Sequence, residues 1–296
     1  MRLIFNIIDV LGFLLTALGT YLTIRNGSDC SIIRNELAVG IGILLIVFSV
    51  FGFHYFRKYE IAKSVILGRE ELIKAHYKAF QFSNELNRNK PPHITKCITE
   101  FSTICQHIRS GLRRFHKVEV SACILYISKD ENNIIYAKTL SRDTDTSERR
   151  EQSTSISDIH VSIFNNTDFR HIFDSIKKKP IEQVHYFNNA IPLSLNYRNT
   201  HIHREWQYKY YCWYGLIPRL FSWKLPYRST IVVPIIPRNS QKVETIEGFL
   251  CVDSPNMFVF SKKYDLPVIK ELASSIYPAL RTFNSKREKI MKKGNQ

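Results

Sequence analysis

Two long apolar runs near the start of the chain constrain its fold more than any other feature. Residues 3–24 and 37–56 are predominantly apolar. Each run has about 20 residues, the length that a helix needs to cross the hydrocarbon core of a bilayer. Residues 25–36 between them are polar. The pattern predicts a two-helix transmembrane hairpin over residues 1–57. A secretory signal peptide is the competing interpretation of residues 1–24.

Basic residues determine the predicted orientation of this hairpin. Arg57 and Lys58 follow directly after the second run. Lys and Arg near span ends concentrate on the cytoplasmic side. We therefore expect a multi-pass membrane protein whose termini are both cytoplasmic. Asp9 lies within the first run, where a carboxylate usually faces another helix or water. It is a candidate functional residue of the membrane segment, and hydration near the interface is the alternative.

The net charge of +16 predicts an anionic partner. Beside a membrane, that partner is the lipid bilayer, and no nucleic-acid-binding motif accompanies the dispersed basic residues. No specific nucleic acid is therefore expected. The chain has six cysteines without a Cys-x-x-Cys pair. His201, His203 and Cys212 are three potential ligands without an apparent fourth, so we predict no metal site.

The rest of the chain predicts an α+β fold. Residues 58–92 form a juxtamembrane helical linker that ends at two prolines, and residues 93–115 have the apolar spacing of an amphipathic helix. Strands are predicted at 118–128, 133–140, 229–236 and 247–253, a loop at 141–158, and further helices at 171–179 and 266–283. Residues 285–296 are predicted to be a frayed basic tail. The strands form a mostly antiparallel sheet, with the first and last helices packed on one face.

Part of this sequence resembles a known family. A small residue opens an apolar strand, a Val-Pro ends it, a Gly opens the next strand, and a Phe and an Asp precede the last helix. These residues are Ser229, Val233, Pro234, Gly248, Phe260 and Asp265. The pattern resembles the C-terminal half of a GAF domain. The resemblance implies a GAF-like antiparallel sheet with packed helices over residues 93–284. It also implies a regulatory role that is usually non-catalytic.

Several GAF relatives bind cyclic nucleotides between the sheet and the variable middle of the domain. The residue types of that subgroup's ligand set occur here as Asn256, Phe260, Lys262, Asp265 and Glu271, with Lys and Phe in the opposite order. The variable middle also contains an aromatic and basic cluster that could wall a ligand pocket. Its candidate ligand-binding residues are Arg204, Trp206, Tyr208, Lys209, Tyr211, Trp213 and Tyr214. Packing of a bulky insertion, or contact with the bilayer interface, is the alternative.

The sequence contains no nucleophile elbow, phosphate-binding glycine loop, or protease or kinase motif, so we expect neither an enzyme nor a resident cofactor. We predict a membrane-anchored sensor that forms a homo-oligomer. Its cytosolic GAF-like domain would bind a small ligand, for which a nucleotide is one candidate, and regulate the membrane segment or a partner protein. The alternative is a non-sensing membrane-anchored scaffold for dimerisation and protein interaction.

Overall fold

The computed structural model describes residues 17, 21, 29–88, 93–129, 134–145, 161–180, 183–194, 196–199, 223, 225–237 and 245–294. The chain divides into two compact units, Met1–Ile66 and Leu67–Gln296. Its helices are α1 (Asp29–Leu86), α2 (Ile94–His116), α3 (Thr167–Ile176) and α4 (Asp265–Gly294). Its strands are β1 (Ser121–Lys129), β2 (Ile135–Arg142), β3 (Val161–Ser162), β4 (Tyr186–Asn188), β5 (Ser229–Ile235) and β6 (Gly248–Ser254).

The structure does not support the predicted transmembrane hairpin. A spanning helix must be apolar over about 20 residues. Within the described residues, no helix has the combination of length and apolarity that a bilayer crossing requires. The run at 37–56 does not form a helix that stops at residue 56, because α1 continues to Leu86. The prediction of a multi-pass membrane protein with two cytoplasmic termini is therefore wrong. Asp9 lies outside the described residues.

The second unit is built on a six-stranded sheet with the order β3-β2-β1-β6-β5-β4. Every neighbouring pair in the sheet is antiparallel. The strands predicted at 118–128 and 133–140 are confirmed as the antiparallel pair β1 and β2, although their register shifts between Ile124 and Leu125. Strands β1 and β6 are far apart in sequence and pair at the centre, where Cys123 lies opposite Cys251. The predicted α+β class with an antiparallel sheet is confirmed.

The two faces of the sheet support two separate hydrophobic cores. Because successive side chains of a strand point to opposite faces, Ile124 and Leu250 lie in one core, whereas Cys123 and Phe249 lie in the other. The first core also contains buried residues of α2, of α4 and of the last part of α1. The predicted packing of the first and last helices on one face is thus confirmed. The second core contains α3 and the segments that follow it.

Residues 67–86 of α1 pack against α2 in this first core. Their partly exposed contacts are polar pairs spaced two turns apart along α1. These pairs join Glu71 to His107 at 2.9 Å, Lys78 to Glu100 at 2.7 Å and Glu85 to Lys96 at 2.5 Å. Leu72, Ala75, Ala79, Phe82 and Leu86 are buried beneath them. Residues that the sequence suggested as a linker thus contribute to the core of the second unit. The predicted domain boundaries themselves stay predictions.

The residues of the GAF-like pattern have local structural roles. Pro234 lies beyond the part of β5 that pairs with β4, so its missing N–H does not interrupt that ladder. A Cβ at Gly248 would lie against the carbonyl oxygen of Leu125, so β6 can approach β1 this closely only with glycine. Asp265 begins α4, and its carboxylate accepts a hydrogen bond from the N–H of Ser261 at 2.6 Å.

Two predicted helix boundaries are wrong. Helix α3 begins at Thr167, four residues before the expected start at His171. Its apolar face already includes Phe169, which packs on the sheet. Helix α4 continues to Gly294, so most of the tail that was expected to fray is helical.

Candidate functional site

Helix α3 presents a polar face above the second core. Its apolar residues Phe169, Ile172, Phe173 and Ile176 are buried, and the ring of Phe169 lies 4.7 Å from that of Phe249 on β6. This contact fixes the rotation of α3 about its own axis. Arg170, His171 and Asp174 consequently lie on the exposed side of the helix.

The segment 196–199 alternates between exposed and buried residues. Asn196 and Arg198 are exposed, whereas Tyr197 and Asn199 are buried. Strict alternation is typical of an extended segment that covers a core with one side and faces solvent with the other. The segment therefore contributes to two different environments, one outside and one inside the domain.

Hydrogen bonds hold this segment against the start of α3. The N–H of Thr167 donates to the carbonyl of Arg198 at 3.0 Å. The N–H of Arg198 in turn donates to the hydroxyl of Thr167 at 2.8 Å. This reciprocal pair fixes the backbone of Arg198 relative to the first turn of the helix. The position of the arginine is therefore determined by the fold and not by the loop alone.

An open cleft of about 370 Å³ lies between α3 and this segment. It is lined by Phe164, Asn165, Thr167, Arg170, His171, Asp174, Asn196 and Arg198. Two arginines from separate elements thus line one concave surface. Arg170 is 3.6 Å from Asp174, and both side chains are well exposed, so the pair is weak and open to exchange with a ligand.

Electrostatics leave the arginines as the positive groups of the cleft. Burial, with a contribution from Lys179, lowers the pKa of His171 below its usual value. A lowered pKa favours the neutral imidazole, which can donate and accept hydrogen bonds. A guanidinium stays charged and offers donors in a planar fork that matches carboxylate and phosphate oxygens. The chemistry of the cleft suits an anionic ligand.

Beneath the cleft, a chain of hydrogen bonds connects buried polar side chains. The amide of Asn199 donates to the hydroxyl of Tyr227 at 3.0 Å, which lies 3.2 Å from the hydroxyl of Tyr197. Tyr197 donates to Asp168 Oδ2 at 3.4 Å, while Asp168 Oδ1 accepts from the N–H of Phe169 at 2.9 Å. Both carboxylate oxygens of Asp168 are thus engaged inside the domain.

Burial changes the ionisation of this interior chain. It raises the pKa of Asp168 to about 7, and Asp253 adds to the effect. It likewise raises the pKa of Tyr186 to about 12 and that of Tyr197 well above its usual value. The tyrosines therefore remain neutral donors at physiological pH. Asp168 exchanges its proton near neutrality, where a solvated aspartate would be fully charged.

The Cys251 thiol on this face of the sheet is not activated. Burial raises the pKa of Cys251 well above its usual value, and the neighbouring Cys123 thiol contributes. A buried, protonated thiol is a poor nucleophile. Among the residues that the structure describes, no group of three or more His, Cys, Asp or Glu side chains is arranged to hold a metal ion.

The site residues predicted from sequence cannot be placed in this cleft. All of them lie outside the described residues: Arg204, Trp206, Tyr208, Lys209, Tyr211, Trp213 and Tyr214. His201, His203 and Cys212 also lie outside. From the cyclic-nucleotide set, Phe260 is buried in the first core, on the opposite side of the sheet from the cleft.

Sequence reasoning missed Asp168, Arg170, Tyr197 and Arg198. Two signals could have indicated them. In the run of residues 167–176, the apolar positions fall on one helical face, which assigns Arg170 to the other. In the run Asn-Tyr-Arg-Asn at 196–199, the aromatic and the charged residue are adjacent. Adjacent residues of an extended segment point to opposite sides, which assigns Tyr197 and Arg198 to different faces.

No protein-family model matches this chain, and no curated protein matches it. Solved structures that resemble it include a GAF domain, with 11% identity, coverage of 72% of this chain and 88% of the other, and a TM-score of 0.44. The GAF domain of a phosphoenolpyruvate-protein phosphotransferase from Coxiella burnetii has 12% identity, coverage of 74% and 98%, and a TM-score of 0.40. A free methionine-R-sulfoxide reductase from Neisseria meningitidis has 11% identity, coverage of 75% and 93%, and a TM-score of 0.41. At these values the matches assign neither an activity nor a ligand to this chain.

Proposed function

We propose that this protein is a regulatory binding module that takes a small anionic ligand in the cleft between α3 and residues 196–199. Nucleotides are the first class to test, because they combine phosphate groups with a flat base. The role that we assign is binding, and the buried Asp168 carboxylate, with both oxygens engaged within the fold, is not offered to the ligand. Ligand occupancy would regulate a partner protein.

One observation carries this proposal. Arg170 and Arg198 come from two elements that are hydrogen-bonded to each other, and both line the same cleft. Two guanidinium groups on neighbouring elements can hold separate oxygens of one anion, and the fixed backbone that carries Arg198 reduces the entropy that binding costs. Thr167, Asn165 and Asn196 add neutral polar groups at the rim. Such groups can orient a ligand without adding charge.

The proposal is tested by thermal-shift measurements on the full chain with cyclic mononucleotides, cyclic dinucleotides, ATP, GTP and inorganic phosphate. A ligand that binds only the folded state raises the melting temperature by mass action. The affinity of any active compound is then measured by calorimetry on wild type and on Arg198→Gln. A charge-assisted hydrogen bond contributes about 1.5–3 kcal/mol, so we expect the Kd to rise by about 10- to 100-fold.

Arg69→Gln is the matched control, because it removes the same charge from an exposed position on α1 that does not line the cleft. We expect it to bind like wild type. The proposal is wrong if no compound stabilises the chain. It is also wrong if Arg198→Gln binds as tightly as wild type, or if both variants lose affinity equally, since the last result would reflect net charge alone.

A further inference from the structure

Helix α1 has a second apolar face in addition to its buried one. Ile73, Tyr77 and Phe80 are large apolar residues with exposures of 56%, 61% and 63%. The residues buried in the first core follow a different set of positions along the helix: Leu72, Ala75, Ala79, Phe82 and Leu86. At 100° per residue, the two sets lie on roughly opposite sides of α1. The exposed set, with Asn84 after it, is here called the outer seam.

The spacing of the outer seam is that of a helix-packing interface. Its residues occur at intervals of four, three and four, which is the alternation of core positions in a coiled coil. The sequence also repeats a large apolar residue every seven positions, at 59, 66, 73 and 80. Scattered exposed apolar residues are normal on protein surfaces, but a seven-residue repeat is the pattern that selects another helix as partner.

Charge favours a second copy of the chain as that partner. With a net charge of +16, most surfaces of two copies repel each other. Beside the outer seam, however, Lys74 lies 2.9 Å from Glu70, and both of these side chains are about half exposed. The seam is therefore bordered by an internally neutralised group. A copy of the same helix has the same seven-residue apolar repeat and the same neutral border. It therefore offers a matching apolar face and adds no charge repulsion at that border.

We propose that the outer seam packs against the outer seam of a second copy and forms a reversible homodimer. Ile73, Tyr77 and Phe80 each expose on the order of 100 Å². The six such side chains of two copies therefore give an apolar contact of roughly 600 Å². This area belongs to the small, transient class of interfaces, and the expected dimer depends on protein concentration. The inference rests on different residues from those of the cleft, so either proposal can fail without the other.

The test is sedimentation velocity of the full chain over a range of concentrations. Wild type should shift from monomer to dimer. The variant Ile73→Glu/Phe80→Glu places two carboxylates in each copy of the seam, and we expect its dimer Kd to rise by at least about 100-fold. Tyr264→Glu is the matched control, because it adds a carboxylate at another exposed aromatic residue, on the loop before α4. It should dimerise like wild type.

The milder variant Ile73→Ala/Phe80→Ala guards against misfolding, since it removes apolar area without adding charge. We expect it to fold with a wild-type circular dichroism spectrum and to dimerise more weakly. A wild-type chain that stays monomeric at every concentration would overturn the proposal. So would an oligomer whose Kd is the same in both seam variants and in wild type.

Discussion

Among individual residues, Arg109 has the most demanding environment in the described structure. Its side chain is 3% exposed and lies 3.3 Å from Asp143, which is fully buried. It also donates to the carbonyl of Val120 at 3.1 Å and pairs with Glu119 and Asp145. Asp143 in turn accepts from the N–H of Ala122 at 2.9 Å. One guanidinium therefore joins α2 to the start of β1 and the end of β2.

We predict that Arg109→Met destabilises the protein by about 3–5 kcal/mol, because it leaves the Asp143 carboxylate buried without its counter-ion. Urea unfolding followed by circular dichroism measures the change. Arg113→Met is the control, since Arg113 pairs with Glu119 at 2.9 Å but is half exposed. Its effect should stay below about 1 kcal/mol. Equal losses in the two variants would contradict the role assigned to Arg109.

Asp168 makes stability depend on pH in a direction opposite to that of most carboxylates. Its folded-state pKa of about 7 lies above the ordinary value of 3.8, so the folded state binds the proton more tightly than the unfolded state. Stability is then lost as pH rises from about 4 to about 7, and the loss is constant above that range. The three-unit difference corresponds to about 4 kcal/mol at most.

The variant Asp168→Asn removes this titration. Its amide oxygen can accept from the N–H of Phe169, and its amide nitrogen can donate to the hydroxyl of Tyr197, so the second hydrogen bond reverses its direction. We expect the variant to gain stability relative to wild type as pH rises from 4 to 7. The difference between the two unfolding free energies, measured at each pH, cancels the titration of all other groups. A difference that does not change over this interval would show that Asp168 has an ordinary pKa.

Among the elements, helices α1 and α2 approach closely at two glycines. A Cβ on Gly111 would lie 2.8 Å from the side chain of Leu72 and 2.9 Å from the carbonyl oxygen of Gly68. A Cβ on Gly68 would lie 2.9 Å from the carbonyl oxygen of Gly111. Each glycine thus faces the backbone of the other helix. Backbone atoms cannot turn aside as a flexible side chain can.

We predict that Gly111→Ala destabilises the protein by about 1–2 kcal/mol. Alanine is favoured over glycine in a helix by about 1 kcal/mol, but overpacking at a backbone contact costs up to about 3 kcal/mol. Chemical denaturation measures the net effect. Gly40→Ala is the control on α1, where no atom lies within 4 Å of the new Cβ. It should be neutral or stabilising, and a stabilised Gly111→Ala would contradict the close approach.

For the molecule as a whole, the sequence predicted local structure better than it predicted the site. The apolar spacing of α2 and α4 and the apolar runs of β1, β5 and β6 are properties of short segments, and each element is found close to its predicted place. The Val-Pro and Gly of the GAF-like pattern also lie where that resemblance implied, in β5 and at the start of β6.

The cleft could not be predicted in the same way. Asp168 and Tyr197 are separated by 29 residues, and their contact depends on how segment 196–199 folds back onto α3. Neither residue belongs to a motif, and burial, not neighbouring sequence, sets the ionisation of Asp168. The ligand site was predicted at the aromatic and basic cluster of residues 204–214 instead, because the composition of that segment is unusual.

The alternation of residues 196–199 has a consequence for how a signal could leave the cleft. Arg198 faces the cleft, while its two neighbours in the chain, Tyr197 and Asn199, hold the interior hydrogen bonds. An anion that restrains Arg198 also restrains those bonds, because they lie on the same short piece of backbone. Binding of the anion would then slow the opening of the domain interior, without any hinge or moving lid. If the cleft binds its anion as proposed, the signal that leaves it would be a change in rigidity.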